Sequence, residues 1–223
     1  MIGVEDLAYW YFRMNGFLTI KNFVVHPDFG RDQETDIDLV AVRLPFRAEN
    51  LQRPMRDDPV LLRTRPAWED RHRIAVYFVE VKTGLCLLNG PWTRPERRNM
   101  ERALAAIGPL PRDTRRLAAT SLYESGVFRD TLYKVSLACL GGRINEEIET
   151  RYPEVPQVTW GHASDFIYER FTAYRSQKAS HGQWDETGRI LWDVAAHSRS
   201  AAEFRRDLSR HLPQGALHML EVT

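Results

Sequence analysis

The chain has 223 residues, 43% of them hydrophobic, enough to bury a core in one domain or in one domain with an appended subdomain, which argues against disorder. Lys and Arg number 31 against 30 Asp and Glu, so the net charge of +1 excludes a global electrostatic pull toward nucleic acid or anionic membrane and leaves only local basic surface. The two cysteines, Cys86 and Cys139, lie far apart without ligand spacing; they exclude a disulfide framework or a thiolate zinc site and read as reduced core residues.

Val4, Leu7, Ala8, Tyr11 and Phe12 recur at helical spacing, with Glu5 in the opening turn and Asn15-Gly16 as a stop. These first residues lack a basic region followed by an apolar run, and no stretch of about 18 apolar residues occurs, so a soluble cytoplasmic protein with no membrane association is expected. FLTIKNFVVH (17–26) reads as a strand closed by the turn-like PDFGRD, and TDIDLVAVRL (35–44) as a second strand with acids at its entry. Residues 45–73 are polar and rich in Pro and Arg, the composition of an insertion between strands. RIAVYFVEVKTG (73–84) is a third strand, and the stretch from Gly90 to Gly108 a turn and one helix. LYKVSLACLGG (132–142) is a strand buried on both faces, a short strand follows at 157–160, and HASDFIYERFTAYRS carries a helical stripe. Two short helices broken near Ser198 complete the tail. The expected fold class is α/β with a mixed sheet: a core over 1–175 and a helical C-terminal extension over 176–223 that packs on the core or on a partner.

Along RIAVYFVEVKTG, Ile74, Val76, Phe78, Glu80 and Lys82 share one face, so two charges project together at the end of an otherwise apolar strand. If the preceding strand pairs with this one, Asp36 or Asp38 lies beside Glu80. Crowded carboxylates raise each other's pKa unless a cation offsets the repulsion, and a hard divalent metal such as Mg²⁺ suits a few carboxylate oxygens, retained waters and phosphate oxygens.

The helix acid, DIDLVAV and FVEVK in that order resemble the PD-(D/E)XK nuclease superfamily, the restriction-endonuclease-like phosphodiesterases, over roughly residues 4–160. The resemblance implies a restriction-endonuclease-like mixed sheet flanked by helices. It implies Glu5, Asp38, Glu80 and Lys82 as catalytic residues, with Asp38, Glu80 and the Val81 carbonyl holding Mg²⁺, for which Mn²⁺ can substitute. The proline expected before the first Asp is missing, which leaves Asp36 as a rival; DLVAV favours Asp38. The implied activity is a metal-dependent endonuclease of bacterial defence or repair, acting on DNA rather than RNA. A homodimer and a regulatory protein partner belong to the same expectation. The alternative is an inactive module on the same fold that binds nucleic acid or protein.

On the helix after the FVEVK strand, Arg94, Arg98 and Arg102 repeat at i, i+4 and i+8 with Arg97 adjacent, forming one cationic stripe suited to gripping the phosphates of nucleic acid. His162 reads as a surface or packing residue, and Trp184 and Trp192 as packing for the terminal helices.

Overall fold

A computed structural model describes residues 1–28, 35–54, 56–62 and 72–213. Most of the turn expected at PDFGRD, and Arg63, Arg65 and Arg71 of the insertion, lie outside the described residues.

Helix α1 (Val4–Met14) begins with Glu5 and Asp6 at its positive end and stops at Asn15 and Gly16, the latter in the left-handed region at φ 81°. Strand β1 (Leu18–Val25) pairs antiparallel with β2 (Thr35–Arg43). A small hairpin of β3 (Ala48–Asn50) and β4 (Arg53–Pro54) lies within the insertion. Strand β5 (Ile74–Val81) then pairs antiparallel with β2.

The chain leaves β5 through α2 (Gly90–Thr93), a 3-10 turn (Pro95–Arg97), α3 (Asn99–Ile107) and α4 (Arg112–Ser125). It returns through β6 (Val127–Arg129) to β7 (Tyr133–Gly141), which lies parallel to β5 as a helical crossover allows. Helix α5 (Glu146–Arg151) leads to β8 (Gln157–Thr159), parallel to β7, and α6 (Trp160–Ala173), α7 (Arg175–Lys178), α8 (Glu186–His197) and α9 (Ala201–Ser209) follow. The result is an α/β architecture with a mixed, open sheet of six strands in the order β1-β2-β5-β7-β6, with β8 also on β7. Among the described residues no helix is long and apolar enough to cross a membrane.

Alternation along the strands divides the apolar residues between two cores. Tyr77, Val79 and Val81 face Trp10, Phe12, Trp160, Phe171, Trp192 and Phe204, so the C-terminal helices share one core with α1 and α6. Val76 and Phe78 face Trp92, Met100, Leu104 and Leu122 on the side of α3 and α4. Trp184 packs against Trp10, with ring centroids 5.1 Å apart and the rings tilted by 58°, rather than forming an exposed aromatic surface.

Two expectations change. The stretch from Gly90 to Gly108 is not one helix: Pro95 starts a separate 3-10 turn, and Arg98 sits at φ 55° before α3 begins. Helix α4 and strand β6 were not anticipated. Helix α4 buries small or mixed residues, Ala118, Ala119, Leu122 and Tyr123, among arginines and hydroxyls, a weak periodic signal.

Candidate active site

The antiparallel ladder between β2 and β5 ends at the pair Leu39↔Val79. One step further, Asp38 stands opposite Glu80. The Asp38 carboxylate takes the place of the next ladder acceptor: its Oδ2 accepts the Val81 N–H at 2.7 Å. On the other side of Asp38, Asn22 lies between the pairs Lys21↔Leu39 and Phe23↔Ile37 and takes a left-handed φ of 52°. The backbone is therefore irregular beside Asp38 on β1, and the ladder ends beside it on β5, the kind of interruption that re-aims a side chain.

Glu80 continues the face of Val76 and Phe78 and is only 2% exposed. Its Oε2 accepts from Lys82 Nζ at 2.7 Å, and its Oε1 from the indole Nε1 of Trp92 at 2.6 Å. Lys82 Nζ also lies 3.5 Å from Asp38 Oδ2, so one ammonium bridges two carboxylates. Burial, with a smaller contribution from Asp38, pushes the Glu80 carboxyl up to about 7, against the opposing pull of Lys82 and Trp92. Burial works against the charged form of Lys82, but Glu80 and Asp38 outweigh it and raise its pKa above the ordinary value.

The backbone at Val81 is oriented by the same ladders. Lys82 N–H donates to Leu140 O on β7 at 2.8 Å, so the peptide groups of Val81 face the other way, toward β2, where the N–H meets Asp38. The Val81 carbonyl thus opens into the gap left by the ended ladder. The turn after Lys82 is fixed on the end of β7. Gly142 N–H donates to Gly84 O at 2.5 Å, and a Cβ on Gly141 would lie 2.9 Å from both Cys86 N and Gly84 O, so only glycine permits this approach. Trp160 Nε1 donates to Lys82 O at 2.9 Å and ties the same turn to α6.

Glu5 comes from α1 to the same end of the sheet. Its carboxyl is held above the usual range by burial first and then by Asp38 and Asp6. Among the described residues no three Asp, Glu, His or Cys side chains stand close enough to share an ion. Asp38, Glu80 and the Val81 carbonyl offer a hard oxygen donor set, one that suits an ion retaining several waters or substrate oxygens, as Mg²⁺ does. Asp36 makes no contact with Lys82 or Val81 among the described hydrogen bonds and ion pairs, which favours Asp38.

The arginines do not form the expected stripe. Arg98 pairs with Glu101 through both Nε and Nη2, at 3.0 and 2.9 Å. Arg102 pairs with Asp28 at 3.0 Å and donates to the Arg97 carbonyl. Arg94 lies between α2 and the 3-10 turn and Arg97 ends that turn, and neither has a carboxylate partner among the described residues. Of the four, these two remain as cations without local neutralisation.

Trp92 and the cluster around Asp58 escaped sequence reasoning. Asp58, fully buried in the insertion, accepts from Tyr11 Oη at 2.6 Å and meets His162 Nε2 at 2.8 Å. Burial pushes the Asp58 carboxyl up, but the hydrogen bonds from His162 and Tyr11 more than offset it. His162 is therefore an anchor between α6 and the insertion. The cysteines are free and buried, with the Cys139 thiol pushed up by its hydrogen bond to Cys86 and by burial, as reduced core residues would be.

No family model matches the chain, nor does any curated protein or solved structure.

Proposed function

We propose that this chain is a divalent-metal-dependent nuclease built on a restriction-endonuclease-like α/β core. The observation that carries the reading is the meeting of Asp38, Glu80, Lys82 and the Val81 main-chain N–H where β2 and β5 part. A bound Mg²⁺ would polarise the scissile phosphate and lower the pKa of a water. Asp38, Glu80 and Val81 O would hold that ion. The chain's own acid–base element is Lys82, whose ammonium would orient the attacking water and offset charge developing on the phosphorus oxygens. Burial and the hydrogen bond from Trp92 keep the Glu80 carboxylate fixed and strengthen its interactions with both cations. Glu5 would steady the water through its own hydration. Arg94 and Arg97 supply nearby positive charge for the strand. DNA is the favoured substrate, cytoplasmic defence or repair the favoured setting, and a homodimer or a regulatory protein partner the favoured assembly, all on resemblance alone.

The test is direct. Purified protein is incubated with plasmid, single-stranded DNA and RNA in Mg²⁺, Mn²⁺ or chelator. Cleavage that requires metal and disappears in Lys82→Ala and Glu80→Ala is the expected result. Binding without cleavage under every condition would instead support the inactive-module reading.

A further inference from the structure

We propose that Trp92 is a positioning residue for Glu80: its indole N–H holds Oε1, so that Oε2, clasped by Lys82, becomes the oxygen offered to a divalent ion. This rests on the metal-dependent reading above. Trp92 and Glu80 are each 2% exposed, and their 2.6 Å hydrogen bond is charge-assisted when Glu80 is ionised. An indole has one donor and no acceptor, so it can neither bind the metal nor replace it. Trp92 is itself fixed by α2, where its main-chain N–H donates to Asn89 O at 2.9 Å, and by Phe78, whose ring centroid lies 6.5 Å away. If Oε1 lost this donor, the nearest remaining one is Lys82, already 2.7 Å from Oε2. Both carboxylate oxygens would then turn to the same ammonium, and the side chain that faces substrate would be held back by the side chain that binds metal. The indole prevents that double clasp and leaves only one oxygen to exchange.

Trp92→Phe keeps an aromatic six-membered ring and removes the donor together with the five-membered ring that carries it. Mg²⁺ binding is measured by calorimetry without nucleic acid, and Phe78→Leu serves as a control that loosens the same packing while leaving the N–H in place. Trp92→Phe should weaken Mg²⁺ binding about tenfold, the usual effect of removing a group that orients a metal ligand. Phe78→Leu should lower the melting temperature with unchanged Mg²⁺ affinity. In proton–nitrogen spectra, the indole signal missing from Trp92→Phe should move on addition of Ca²⁺ more than those of the other five tryptophans. Unchanged affinity in Trp92→Phe, or an equal loss in Phe78→Leu, overturns the assignment and leaves the nuclease reading standing. Wild-type protein that binds neither ion removes the metal-dependent reading and this inference with it.

Discussion

Glu80→Gln isolates the energetic consequence of burying a carboxylate at the end of β5. The folded-state pKa of about 7 lies above the ordinary 4.5. Each unit corresponds to about 1.4 kcal/mol, so ionising Glu80 costs the folded chain about 3 kcal/mol relative to the unfolded one. The sign follows from proton binding: between these two values the folded state holds the proton that the unfolded state has released. Stability from this group is fully present below pH 4.5 and is lost as pH rises to about 7. The glutamine variant has no such titration. Urea unfolding in chelator at intervals from pH 4.5 to 8 should therefore show wild type losing about 3 kcal/mol more than Glu80→Gln. Parallel curves would refute the reasoning and mean that water reaches Glu80 freely.

Asp38→Asn should lower metal-dependent cleavage by about 100-fold, because it removes an anionic ligand, whereas Asp36→Asn should stay within about threefold; the reverse order in a plasmid-cleavage time course would move the ligand to Asp36. Gly188→Ala should destabilise the fold by about 2–3 kcal/mol, since a Cβ there would lie 1.9 Å from Cζ2 of the buried Trp10, and chemical denaturation reads the loss. Asp58→Asn should cost about 2–3 kcal/mol by breaking the buried link between Tyr11 and His162. With Asp58 held below its ordinary 3.8 and His162 above its ordinary 6.5, that cost should be largest between those pH values and shrink on the alkaline side as His162 loses its proton. A cost independent of pH would show that the ion pair contributes nothing beyond hydrogen bonding.

The parts of the site on regular strands were legible because strand geometry is periodic. Alternation alone places Glu80 and Lys82 on the face of Val76 and Phe78, and antiparallel pairing with β2 then brings Asp38 opposite Glu80. Trp92 was not legible: its contact depends on the path of the turn after β5, and no spacing rule links residues 80 and 92. The arginine stripe failed for a reason the sequence did contain. Spacing of four between Arg94, Arg98 and Arg102 has meaning only on a continuous helix, and Pro95 lacks the N–H such a helix needs. Asp58 illustrates a different limit. An acid in a polar, proline-rich insertion reads as solvated, and only tertiary structure supplies the hydroxyl and imidazole that pair it in the core.

The charges at the site lead to a consequence that stability measurements do not reach. One ammonium faces two carboxylates, and a divalent ion added to that set leaves one net positive charge, the complement of a phosphodiester. To receive the ion, Glu80 must be ionised, yet at neutral pH a group titrating near 7 carries a proton in about half of the molecules. Ion binding should therefore release about half a proton at pH 7, close to one at pH 5.5, and almost none at pH 9. Calorimetric titration with Mg²⁺ in buffers of different ionisation enthalpy measures that number directly. Glu80→Gln should release none at any pH. Release that does not change between pH 5.5 and 9 would place the binding carboxylates in water and remove burial of Glu80 as the feature that couples metal affinity to pH.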